Sequence, residues 1–509
     1  MRNLIFIVLI FTMSIFAQYD EPHRPQIHFS PPANWMNDPN GMVYLDGEYH
    51  LFYQYYPNAT VWGPMHWGHA VSRDLVHWEN LPIALYPDNL GLIFSGSAVL
   101  DKENSSGFGT KKNPPLVAMF TYHLMEGEQA GRTDFQYQGI AYSLDKGRTW
   151  TKYDKNPVIP NTENIKDFRD TKVFWNEKLK SWSVVFAVGN YVRFYNSPDL
   201  KTWKMTGEFG KNDGSHGGVW ECPDIFPMQI NGKTKWVLLV SINPGGANGG
   251  SATQYFIGDF DGKTFKNDNS PDRILWLDYG RDNYAGVTWA NAPNNRRIFL
   301  GWMSNWDYAQ KVPTTKWRSA MTLPREMSLR NTPDGIRIFQ KPVAETEKLR
   351  RNEILRVKNK AVEKSLNLGE SKSPLREMIF EIDLSKTTAK DFGVELGNSK
   401  GETVKVGYDA ASKRFYTDRT KSGNLDFSTE FARNRTFSPR FSRENILKLH
   451  LIFDAASVEM FADDGAGAMT DVFFPTEDFA DFRFFSKSGK TQISNVQVWN
   501  LTPIWRGKS

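Results

Sequence analysis

Apolar and polar positions alternate over short runs through most of the 509-residue chain. Tyr49–Tyr53, Ser183–Ala187 and Trp236–Val240 each read as a strand, with Gly, Asn and Asp turns between such runs. No strong, long helical period interrupts them. One unit recurs: an apolar run, a polar turn containing Asp, then an aromatic. Its copies run from Ser72 through Asp74 to Trp78, from Ser143 through Asp145 to Trp150, and from Ser197 through Asp199 to Trp203. A weaker copy runs from Gly258 through Asp261 to Phe265. Strand-and-turn units recurring at roughly 50–70 residues predict a β-propeller rather than one large sandwich or barrel.

In a propeller the first strand of each blade lines the central axis. Five stretches combine small or polar residues with an apolar strand: Asn37–Val43, Phe94–Val99, Arg169–Phe174, Glu221–Phe226 and Asp282–Trp289. Five inner strands imply five blades. The fold class is therefore all-β, a five-bladed β-propeller over residues 24–340. Past residue 340 the aromatic repeat stops, and only two of the 17 tryptophans, Trp499 and Trp505, lie there. Pro342–Asn352 reads as helical, with Pro342 suited to a first helical position, so 341–352 is expected to be a helical linker. Plainer strands follow, such as Met378–Ile382, Val404–Tyr408, Leu447–Phe453 and Ser457–Phe461, and predict a β-sandwich over 353–509.

Composition narrows the function classes. The chain is 40% hydrophobic and 23% charged, as a globular protein is, and its net charge of +5 is scattered rather than gathered into a nucleic-acid-binding face. Arg2, the apolar run Leu4–Phe16 and Ala17 fit an export signal over 1–17, too short for a comfortable membrane span. The mature protein is then periplasmic or extracellular, with no membrane attachment once the signal is removed. The one cysteine, Cys222, cannot form an internal disulfide and is expected to be buried and inert. No metal-ligand spacing or phosphate loop occurs, so no metal and no cofactor are expected.

Three of the inner-strand stretches carry an acid near their start: Asp38, Asp170 and Glu221. Each has an ordinary explanation. Asp38-Pro39-Asn40-Gly41 would make a tight turn. Arg169 and Asp170 would make a structural ion pair, and Glu221 would end a strand ahead of Pro223. Their joint placement on inner strands argues otherwise, because all three would converge at one end of the axis. Crowded carboxylates repel, so at least one should bind its proton more tightly while the others stay ionised. Two acids separated in this way are what glycosidic cleavage needs. Arg169 is expected to hold Asp170 ionised by charge pairing.

At these residues the chain resembles glycoside hydrolase family 32, the β-fructofuranosidases. The likeness rests on Trp35 through Gly41, Phe94 through Ser97, Phe168 through Asp170, Glu221 through Pro223, Gly301 through Met303, and Ser457 through Phe461. It implies a five-bladed propeller followed by a β-sandwich. It implies Asp38 as nucleophile, Glu221 as acid/base and Asp170 as stabiliser of the transition state, with retention of configuration. Asn37, Gln54, Trp62, Phe94, Ser95, Arg169 and Trp302 would shape the fructose pocket. The family motif continues after Asp170 with proline, whereas this chain has Thr171, which is expected to alter geometry but not chemistry. Tyr53 through Tyr56, Trp62 through Trp67 and Gly217 through Glu221 look most like exo-acting fructanases. The expected partners are therefore fructan (levan or inulin) and sucrose, acted on by a monomer or homodimer. An invertase preferring sucrose, and a fructan-binding protein without catalysis, are the alternatives.

Overall fold

The computed structural model describes residues 19–369 and 373–506; the expected export signal at 1–17 lies outside them. Five antiparallel sheets among the described residues surround one axis. Their inner strands are β1 (Asn34–Leu45), β2 (Leu92–Leu100), β3 (Phe168–Asn176), β4 (Val219–Ile230) and β5 (Tyr284–Thr288). Each touches the next, and β5 closes the ring against β1. Met42 and Tyr44 exchange backbone hydrogen bonds with Ala290, and Trp317–Arg318 runs parallel to the start of β1.

The repeated turns sit at one place in each blade. In four blades the Asp turn joins the third strand to the fourth. Asp74 accepts the N–H groups of Val76 and His77, Asp199 those of Lys201 and Thr202, and Asp261 those of Lys263 and Thr264. Asp145 likewise accepts Thr149 N–H. The carboxylate completes hydrogen bonds that the reversing backbone cannot make for itself. The fifth blade closes the same connection with Thr332 instead, taking Asp334 N–H and donating to Gly335 O, so a fifth copy is missing from the sequence.

The propeller is followed by two six-stranded sheets whose inner faces share a core that includes Phe380, Phe392, Val394, Phe482 and Phe484. The 341–352 segment differs from the expected helix. Pro342 ends a strand, Gly335–Pro342, and only Ala344–Leu349 coils, as a 3-10 helix. Arg350 already pairs with Leu501 in the first sandwich strand, and its guanidinium grips Glu377 at 2.7 Å. Six residues between two strands cannot repay helix nucleation, so sheet pairing takes the rest.

Buried ion pairs tie the sandwich to the propeller. Arg325 bonds Glu459 and Asp278, and His28 lies between Asp454 at 2.7 Å and Glu459 at 2.9 Å. Asp282, taken from the sequence as part of an inner strand, precedes β5 and belongs to this interface. It accepts from Arg419 at 2.6 Å, from Val472 N–H and from Tyr308.

Candidate active site

Asp38-Pro39-Asn40-Gly41 is not a turn. It lies within β1, interrupted by two register shifts, with Gly41 at φ +53° where a Cβ would strike Phe52 and Trp67. Pairing with Tyr53 and Phe52 holds the segment extended, and its irregularity survives as bulges. All five inner strands carry such a shift near their beginning. A bulge bends the strand and re-aims side chains.

Each bulge also frees an N–H from its ladder, and in four cases a side chain from the preceding blade takes it. Asn40 Oδ1 accepts Gly96 N–H at 2.9 Å, and Thr121 Oγ1 accepts Asp170 N–H at 2.9 Å. Asp170 Oδ2 accepts Cys222 N–H at 3.0 Å, and Ser241 Oγ accepts Ala285 N–H at 3.1 Å. Asp170, Cys222 and Ala285 adopt φ of +68°, +45° and +54°. Such backbone is costly for residues with a Cβ, and these blade-to-blade bonds hold it in place.

The bulges bring the three sequence-predicted acids together. Asp38 receives Ser95 Oγ–H at 2.6 Å and Asn37 Nδ2–H at 2.9 Å; Asn37 is fixed in turn by Trp35 Nε1–H. Cys222 links two acids, its thiol lying 3.4 Å from Asp38 Oδ2 and 3.6 Å from Asp170 Oδ2. Burial, reinforced by the neighbouring carboxylates, pushes that thiol well above its ordinary pKa, so it remains an S–H donor.

Glu221 has different neighbours. Arg169 donates to Oε1 from Nε at 3.2 Å and Nη2 at 3.0 Å, and Tyr284 donates its hydroxyl to Oε2. Burial, with the charge of Glu221, holds the Tyr284 phenol well above its usual pKa, so its proton stays in place. Gln136 and Asp167 bond the far side of Arg169. Burial opposes the guanidinium charge, but Glu221, Asp170 and Asp167 together keep it protonated.

The expected Arg169–Asp170 ion pair is present but long, and it does not keep Asp170 in the ordinary carboxylate range. Arg169 Nε stands 3.8 Å from Asp170 Oδ2, and its hydrogen bonds go to Glu221 and Asp167. Burial pushes Asp170 up to about 7, against the pull of Arg169 and helped by the charges of Glu221 and Asp38. Desolvation outweighs the cation because Asp170 is 5% exposed and the cation is shared.

The remaining predicted residues form the surroundings. Gln54 donates to Ile93 O and is buried. Trp62 and Phe94 meet edge to face and are half-buried, with Phe94 stacked on His123 at 4.2 Å. Trp302 has no exposed surface; it packs against Tyr284 and Trp35 and supports the site from behind. Thr171, at the usual proline position, donates to Met119 O at 2.9 Å and ties β3 to the second blade. Sequence reasoning missed Tyr284, although it occupies in the fifth inner-strand stretch a place near the bulge, as the acids do in three others.

Two acids held by different donor sets at one end of an axis, with a third beside them, are equipped for glycosidic bond cleavage. Residues 28–342 match the model of the "Glycosyl hydrolases family 32 N-terminal domain", and residues 345–500 that of the "Glycosyl hydrolases family 32 C terminal". The chain belongs to this family, and it is a glycoside hydrolase. A levanase of Bacillus subtilis is 47% identical over 99% of this chain and 75% of the levanase. An extracellular exo-inulinase of Aspergillus awamori is 39% identical over 96% of each. The crystal structure of exo-inulinase from A. awamori superposes with a TM-score of 0.88 at 36% identity, covering 96% of this chain and 100% of that one. A β-fructofuranosidase from Schwanniomyces occidentalis complexed with fructosyl-erythritol gives 0.85 at 32% identity, covering 95% and 98%.

Proposed function

We propose that this protein is an exported, retaining exo-hydrolase that releases fructose from the non-reducing ends of β-fructans and from sucrose. The reading rests chiefly on the division of donors at the site. Asp38, served by Ser95, Asn37 and a neutral thiol, is free of a basic partner within hydrogen-bonding distance among the described residues; Glu221 lies between Arg169 and Tyr284. In the first step Asp38 attacks the anomeric carbon of the terminal fructosyl unit while protonated Glu221 gives its proton to the departing oxygen. A fructosyl ester forms and the glycosidic bond breaks. Glu221 then removes a proton from water, which attacks the same carbon, frees fructose and restores Asp38. Two inversions give net retention. Asp170 binds fructose hydroxyls and offsets positive charge on the ring as the bond opens.

The levanase and exo-inulinase names among the relatives support fructan as substrate. The extracellular exo-inulinases among them accord with export. The test is a product profile on levan, inulin and sucrose, with Asp38→Asn as control. Fructose alone from both polymers, and none from Asp38→Asn, is expected. Oligosaccharides as early products would overturn exo action, and fast sucrose turnover without polymer cleavage would assign the protein as an invertase.

A further inference from the structure

The carboxylates stand near the beginnings of the inner strands, and a cavity of about 860 Å³ opens toward their ends. It is lined by residues 172–178 of β3 and just beyond, 224–227 of β4, and the start of the segment after β2. Asp170 and Trp175 are five residues apart on one extended strand, or about 16 Å at the usual rise. The two places are separate, and the cleavage chemistry uses nothing in this cavity. Its volume falls within the roughly 300–1,000 Å³ of small-molecule sites.

The lining has two characters. One wall is aromatic. Trp175, 38% exposed, is the most exposed tryptophan among the described residues, and it meets Trp182 edge to face at 5.2 Å. Trp182 is anchored by its Nε1–H on Ser105 Oγ at 2.8 Å, while Trp236 packs on Phe174 and Phe260. The other wall carries both signs in near balance, five cations that include Lys172, Lys180 and Arg297 against four carboxylates that include Glu103, Glu177 and Asp224. Lys172 and Asp224 neutralise each other at 3.1 Å. Arg297 lies over Phe226 at 4.5 Å and makes one long hydrogen bond, to Thr288 Oγ1 at 3.4 Å, with no ion pair among the described residues.

We propose that this cavity is a second sugar-binding site that holds an internal stretch of a fructan chain and keeps the enzyme on its polymer. The balance of charge disfavours a polyanion. A neutral, hydroxyl-rich chain matches both walls: its C–H faces lie against indole, whose ring face is the negative end of its quadrupole, and its hydroxyls exchange hydrogen bonds with Arg297 and Glu177. This inference rests on the fructan reading above, and deepens it. An anchor remote from the cleavage site raises the local concentration of chain ends without changing chemistry at them.

The test uses the full-length Asp38→Asn enzyme in gels containing high-molecular-weight levan or inulin, with saturating sucrose to occupy the carboxylate end. Retarded migration that persists under sucrose, and that weakens by at least about fivefold on adding Trp175→Ala, is expected. In the active enzyme, Trp175→Ala should raise KM for polymer by a similar factor and leave sucrose turnover unchanged, which also shows that the variant folds. Retardation abolished by sucrose, or indifferent to Trp175→Ala, overturns the second site. Failure of wild type to release fructose from any polymer instead overturns the fructan reading.

Discussion

Arg169 reaches past its chain neighbour: its guanidinium is 3.0 Å from Glu221 Oε1 and 3.8 Å from Asp170 Oδ2. The bulge at Asp170 separates the two side chains, so the cation of β3 serves the acid of β4. Arg169→Gln should therefore misplace Glu221. A roughly 1 Å displacement of a catalytic group can cost about 100-fold, so kcat on sucrose is expected to fall by about that factor with the fold intact. A fall in polymer affinity alone, with kcat preserved, would show that Arg169 only binds sugar.

Removing the acid itself should cost more. Glu221→Gln keeps the acceptor for Arg169 but has no proton to give, and general acid–base catalysis is worth about 10²–10⁴. Steady-state rates on sucrose should drop within that range. Activity within a factor of ten of wild type would place the acid elsewhere.

Burial, helped by the charges of Glu221 and Asp38, pushes Asp170 up to about 7 against the pull of Arg169. Asp170 offsets positive charge on the ring only once it has lost its proton. The kcat/KM profile is therefore expected to rise as pH climbs toward about 7, and a rate that is flat from pH 5 to 8 would contradict this.

Asp170 should also cost stability. An unfolded aspartate ionises near 3.9, so between about pH 4 and 7 the native state keeps a proton the unfolded chain has released. Stability therefore falls as pH rises through that window. Asp170→Asn keeps an acceptor for Cys222 N–H and removes the penalty. It should stabilise the protein at pH 8 by up to about 4 kcal/mol, a shift of about three units at 1.36 kcal/mol each, while abolishing activity. Denaturant titrations at pH 4 and 8 measure it, with little gain expected at pH 4.

His28 has the opposite origin but a similar sign. Burial works against its charge, yet hydrogen bonds to Asp454 and Glu459, and their charges, carry it up to about 9. The unfolded value is about 6.5, so its contribution is complete below that pH and lost as pH climbs through 9. The expected loss between pH 6.5 and 9 is up to about 3 kcal/mol. Melting curves of His28→Gln should lack this segment of the pH dependence.

The turn-and-aromatic repeat was legible because each copy lies in a connection closed by its own Asp, a local device that leaves a local mark. Inner strands could be picked out for the same reason. The carboxylates were legible from their motifs. Tyr284 was not: it shares the acids' place near a bulge, but only the packing of the fifth inner strand on the fourth shows that its phenol meets Glu221. The helix expected at 341–352 failed because a proline-started segment looks alike whether it is followed by solvent or by a waiting strand partner.

Local patterning thus determined the strands, the four copies of the repeated turn and the three acids, since each depends on residues close along the chain. The direction each acid faces, the partner each one has, and which of them keeps its proton were decided only by the closed ring. Bulges acquire their aim from bonds between blades, and burial, which sets Asp170 apart from the others, exists only once all five strands surround it.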